Sequence, residues 1–125
     1  MKIVICICFS VKNSLYHKKI LNNLNEIKTP PHCKLSFYLI TNDNFKILKN
    51  LVSTIVRNRK FKIKIFKTTK KDIPSTRNIF LKEIQNKKID YIGFLDDDCK
   101  IKKNWVFDMV KFIKKNDCQI VGGPQ

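Results

Sequence analysis

Apolar and polar positions alternate so regularly that they divide nearly the whole chain into strands and helices. Lys2 to Phe9 (KIVICICF) is rich in β-branched residues and reads as a buried strand. Ser10 to Ser14 is polar, with Asn13 or Ser14 placed to cap a helix. From Leu15 to Ile27, apolar residues at 15, 20, 21, 24 and 27 recur at helical spacing, and Pro30-Pro31 ends the helix. Lys34 to Thr41 (KLSFYLIT) is a second strand. Phe45 to Asn58 is a second helix, with Ile47, Leu48, Leu51, Val52, Ile55 and Val56 inward. Phe61 to Thr68 alternates apolar residues with Lys, the pattern of a half-exposed edge strand. A third helix starts near Ile73-Pro74 and runs to Lys87, with Ile79, Phe80 and Ile84 packed inward. Tyr91 to Leu95 is a strand apolar on both faces, as for a central strand covered from two sides. Asn104 to Lys115 is a fourth helix, and Gln119 to Val121 begins a fifth strand. Strand and helix alternate throughout. This predicts an α/β fold: a mostly parallel open sheet with right-handed crossovers and helices on both faces. For a doubly wound sheet the first four strands are expected in the order 3-2-1-4.

Chemistry concentrates where the fourth strand stops. Asp96, Asp97 and Asp98 follow Leu95 directly, three of the ten acidic residues of the chain. Adjacent like charges at a sheet edge are costly unless a cation or a basic side chain balances them. On an extended backbone Asp96 and Asp98 point one way and Asp97 the other. Paired carboxylates of that kind suit a hard divalent cation, Mg²⁺ or Mn²⁺, shared with substrate phosphates. The C-terminal edge of an open parallel sheet is also where such folds bind ligands.

Charge and cysteine content alter this picture little. The 125 residues make one domain with a modest core, and the formal net charge is +16. Of the 26 basic residues only Arg57, Arg59 and Arg77 are arginine, and alanine is absent. That bias fits an AT-rich coding sequence whose lysines are dispersed, solvated surface. It argues against specific nucleic-acid reading, which leans on arginine. Five cysteines (6, 8, 33, 99 and 118) form no Cys-x-x-Cys pair, and with two histidines the spacing of a zinc site is absent. Cys6 and Cys8 share one face of the first strand as small core residues. Unpaired thiols predict a reducing, cytoplasmic location, peripheral to the inner face of the membrane. Met1 to Phe9 lacks the small-residue cleavage site of a signal peptide.

Four motifs in order carry a resemblance: Pro74-Ser75-Thr76-Arg77-Asn78, Tyr91 to Asp98, Asn104-Trp105, and Val121-Gly122-Gly123-Pro124. Together the chain resembles the nucleotide-sugar-binding half of a family 2 glycosyltransferase of the GT-A fold. The resemblance implies that Asp96 and Asp98 hold a divalent cation, Mn²⁺ or Mg²⁺, on the diphosphate of a nucleotide-sugar. It places Arg77 near the nucleotide, Asp96 and Asp97 at the donor, Ser10 where the nucleoside sits, and Asp43 at the base. Phe9-Ser10-Val11 departs from the Pro-Thr-Tyr-Asn usual at that edge. The family's catalytic base lies beyond its Gly-Gly-Pro, where this chain ends. The expectation is therefore a truncated, donor-binding part of an inverting enzyme, unable to transfer sugar alone, with no catalytic residue assigned. Its acceptor would be a glycan or lipid-linked sugar. A basic module for nucleic acid or an anionic membrane surface, and an inactive remnant, are the competing readings.

Overall fold

Four parallel strands in the expected order form the frame of the computed structural model, which describes residues 1–10, 14–42, 45–58, 60–117 and 119. The elements are β1 (Lys2–Phe9), α1 (Ser14–Leu24), β2 (Lys34–Thr41), α2 (Phe45–Ile55), β3 (Lys62–Lys67), α3 (Ile73–Ile84), β4 (Tyr91–Asp96) and α4 (Trp105–Asn116). The sheet runs β3-β2-β1-β4. β1 pairs in parallel with β2 from Lys2↔Lys34 to Phe9↔Thr41, and with β4 from Ile3↔Tyr91 to Cys8↔Asp96. The first two crossovers step one way across the sheet and the third steps back over β1. Right-handedness therefore puts α1 and α2 on one face and α3 on the other. The chain direction reverses between β1 and β4, and this switch point opens at the strands' C-terminal ends.

Two unequal cores result. Ile3, Ile5, Ile7 and Phe9 of β1 and Leu35, Phe37 and Leu39 of β2 pack against Ile20, Leu21 and Leu24 of α1, Leu48 of α2, and Val106 and Val110 of α4. On the other face Val4, Cys6, Tyr38 and Ile40 meet Phe80 and Ile84 of α3. Gly93 belongs to the first face. A Cβ there would come within 2.7 Å of Ile5 Cδ1, so any larger residue would make the tip of the Ile5 side chain move aside.

Several expectations need correction. β4 is the edge of the described sheet and not a central strand, and Ile92 and Phe94 remain 42% and 37% exposed. The reason is that α3 lies over β1 and β2 and meets Phe94 with the edge of Phe80, ring centroids 5.5 Å apart, and the guanidinium of Arg77. Leu15 and Ile47, expected inward, are 65% and 56% exposed. Leu15 sits about 120–180° around α1 from buried Ile20, Leu21 and Leu24, and Ile47 about 100° around α2 from buried Leu48. α1 stops at Leu24 because Asn25 and Glu26 hydrogen-bond only three residues back, to Asn22 and Asn23 carbonyls, in a tightened last turn. The fifth strand expected over 119–121, and the motif at 121–124, fall outside the described residues apart from Gln119.

α3 begins on a cap that the periodicity did not reveal. Asp72 Oδ2 accepts the Ser75 amide at 2.8 Å, Pro74 occupies the first turn, and the cap bond holds the Asp72 carboxyl below its usual range. Asp72→Ala should lower the thermal midpoint, and Asp72→Asn, an equally good cap, should keep most of it. The part of the aspartate's contribution that rests on its charge is present above the unfolded carboxylate range and vanishes as pH falls through the depressed native pKa.

Candidate donor and metal site

The site grows from the point where β4 ends at the switch point. Its backbone does not remain extended. Asp96 to Cys99 closes into a turn in which the Cys99 amide donates to the Asp96 carbonyl at 3.2 Å. Beyond it, Ile101 is buried, its amide donates to Asn23 Oδ1 at 3.0 Å, and the Lys103 carbonyl accepts from the Lys28 amide at 2.9 Å. The turn is thus tied to α1 and its following loop rather than left as a free loop.

The three aspartates then take different environments. Asp97 is turned inward and buried. Its Oδ2 accepts the Ser10 amide at 2.9 Å and stands 2.9 Å from His17 Nε2. Toward an ionised carboxylate that ring nitrogen is the donor. His17 is itself buried, with its ring edge-on to Phe9 at 4.8 Å. Asp97 therefore joins the end of β1, the second turn of α1 and the end of β4 in one contact.

Asp96 and Asp98 are exposed on the other side of the turn, beside half-buried Cys99. One carboxylate oxygen of each and Cys99 Sγ lie within 4.8 Å of one another. Metal–oxygen and metal–sulfur bonds of about 2.3 Å let two ligands of one ion stand about 4.6 Å apart. The three donors can therefore converge on a single divalent cation with a small inward shift. Arg77, on the second turn of α3, reaches the same place. Its guanidinium lies 3.2 Å from Asp96 Oδ1 and 5.1 Å from the Phe94 ring centroid. Both partners are well exposed, so the pair adds little stability but keeps a positive group at the cluster.

The β1 thiols lie beneath this group on the α3 side, Cys6 Sγ and Cys8 Sγ 4.0 Å apart. The hydrogen bond between them, with burial, pushes the Cys6 thiol well up. The same hydrogen bond, helped by the Arg77 charge, holds Cys8 below its ordinary value.

Of the residues expected at the site, Ser10, Arg77, Asp96, Asp97 and Asp98 meet at this edge, and Asp43 lies outside the described residues. Three further residues belong to it. Cys99 extends the donor set, and its position directly after the acidic run was the signal for it. His17 had none, since its contact spans 80 positions. Asn42, just past β2, has a buried Oδ1 with no hydrogen-bond partner among the described residues.

With this geometry in view, the comparisons are specific. The model of glycosyl transferase family 2 matches residues 6–125. The chain belongs to that family. The solved structure of S. aureus TarS 1-349 in complex with UDP superposes at TM-score 0.72 with 18% identity, over 100% of this chain and 38% of that one. Its complex with UDP-GlcNAc gives TM-score 0.64 at 18% identity, over 100% and 37%. A longer S. aureus TarS structure gives 0.66 at 18%, over 100% and 23%. This family 2 chain thus spans well under half the length of the TarS structures it matches, and the likeness is one of fold: the Rossmann-like half of the GT-A fold. No curated protein matches the chain significantly.

Proposed function

We propose that the chain binds a nucleotide-sugar, with a uridine diphosphate donor the first candidate, as the donor part of an inverting glycosyltransferase. The observation that carries this reading is the convergence of Asp96, Asp98 and Cys99 donor atoms at the switch point, with Arg77 alongside. Family membership and the fold shared with a UDP-bound structure support it. Asp96 and Asp98 would hold a divalent cation, which offsets diphosphate charge as the leaving group departs. Arg77 supplies a second positive group to the phosphates. At the nucleoside end, Ser10 and Asp43 would contact the nucleotide, as the family resemblance implies. Asp97 supports these groups from behind. A glycan or lipid-linked acceptor and a cytoplasmic setting complete the reading. Calorimetric titration with UDP and UDP-GlcNAc, in Mn²⁺ and in chelator, tests it. Tight binding in Mn²⁺ alone is expected, and equal affinity in both conditions would refute the metal's role.

The thiol at position 99 makes the donor set less purely hard than carboxylates alone, which favours Mn²⁺ and softer ions over Mg²⁺. Wild-type chain should bind Cd²⁺ with a thiolate charge-transfer absorbance in the ultraviolet. Cys99→Ser should lose that band and weaken Cd²⁺ binding at least about tenfold, with little change toward Mg²⁺. An unchanged Cd²⁺ spectrum in the variant would remove Cys99 from the site.

A further inference from the structure

The sheet face that carries α3 is covered over β1 and β2 and left open over β3. On this face the register sets Lys64 beside Tyr38 and Lys62 beside Ser36, with Lys34 one pleat further toward the start of β2. Lys34, Lys62 and Lys64 are all exposed. Lys87 enters from the turn between α3 and β4. Its Nζ donates to the Tyr38 hydroxyl at 2.8 Å and stands 5.2 Å from the ring centroid, while Lys64 Nζ stands 5.5 Å from the same centroid.

Two ammonium groups therefore converge on one buried aromatic residue, with two more lysines in the adjoining rows. Burial alone would raise the Tyr38 phenol, yet the Lys87 hydrogen bond and the Lys64 charge bring it below its ordinary value, a measure of how positive the place is. The acids nearby do not balance it. Glu83 and Asp90 add two negative charges against four lysines, with the Asp90 carboxylate accepting the Lys2 amide at 2.7 Å. Like charges held this close favour an added anion.

The shape and side chains limit which anion. The open side of a sheet is a plane and not the cleft a small ligand needs. Among the described residues, no arginine stands in the cluster to read base edges. Its aromatics, Tyr38 and Phe80, are buried rather than presented for base stacking. Lysines act as point charges toward phosphate, which suits an extended layer of phosphates.

We propose that the open lysine face of β2 and β3 docks on an anionic bilayer, with lipid phosphates meeting Lys34, Lys62, Lys64 and Lys87. The lysines occupy the N-terminal halves of the strands and the turn before β4, whereas the acidic turn lies past the C-terminal end of β4, so docking leaves the donor site open.

Cosedimentation of the full chain with vesicles of phosphatidylcholine, with and without phosphatidylglycerol, tests this. Binding only to the phosphatidylglycerol vesicles is expected. The double variant Lys34→Gln/Lys62→Gln leaves both Tyr38 contacts in place. It should bind about 25-fold more weakly, at about fivefold per lysine near the surface. The control Lys46→Gln/Lys49→Gln removes the same charge from α2, on the opposite face, and should bind nearly as wild type. Equal losses in the two variants would overturn the proposal, as would binding indifferent to phosphatidylglycerol. Single-stranded RNA bound through the same lysines, with vesicles left unbound, would assign the face to nucleic acid instead.

Discussion

Asp97→Ala is expected to lower the free energy of unfolding by about 3 kcal/mol, with Asp97→Asn costing less. The carboxylate is buried, and one oxygen serves both the Ser10 amide and His17 Nε2 at 2.9 Å. Truncation removes the acceptor of a half-buried backbone N–H and of a buried imidazole, at about 1–3 kcal/mol each. Asparagine keeps one acceptor oxygen but loses the charge. Urea unfolding would show a fallen midpoint at unchanged slope. A variant as stable as wild type but defective in donor binding would instead make Asp97 a direct ligand of the donor.

The neighbouring residue should behave in the opposite way. Asp98→Asn is expected to leave stability unchanged, because the side chain is exposed and no hydrogen bond ties it to the fold. Nucleoside diphosphate binding in Mn²⁺ should weaken on the order of 100-fold, since an amide oxygen is a far poorer ligand than a carboxylate. Affinity in chelator should stay weak in both proteins, because without the cation the remaining Asp96 carboxylate still repels the diphosphate. Titration of both proteins with UDP, in Mn²⁺ and in chelator, reads this directly. Retained Mn²⁺ dependence in Asp98→Asn would place the cation elsewhere. Together the two variants separate residues that a sequence shows as identical.

Much of this protein was legible in its residues. Strands of period two and helices of period 3.6 are local properties, written within a dozen positions, and they placed all eight described elements in order. Alternation pointed to a parallel sheet with right-handed crossovers, the order 3-2-1-4 was the expectation for a doubly wound fold of this family, and the acidic run after Leu95 marked the ligand edge. Boundaries were less legible. Residues such as Asn25 and Asp72 end or start helices through particular hydrogen bonds that no periodicity encodes.

What only the tertiary structure decided is which way each polar group faces. Alternation alone offered Asp97 a side opposite to Asp96 and Asp98, but not what stood there. The parallel pairing of β1 with β4 brings Ser10 and His17 to Asp97, across 87 and 80 positions. The third crossover lays α3 over β1 and β2, which carries Arg77 to Asp96 and leaves Ile92, Phe94 and the β3 lysines uncovered. These are consequences of where whole elements pack. A chain's local pattern specifies what each segment can bury. The identity of the partner it is buried against is set only when the segments meet.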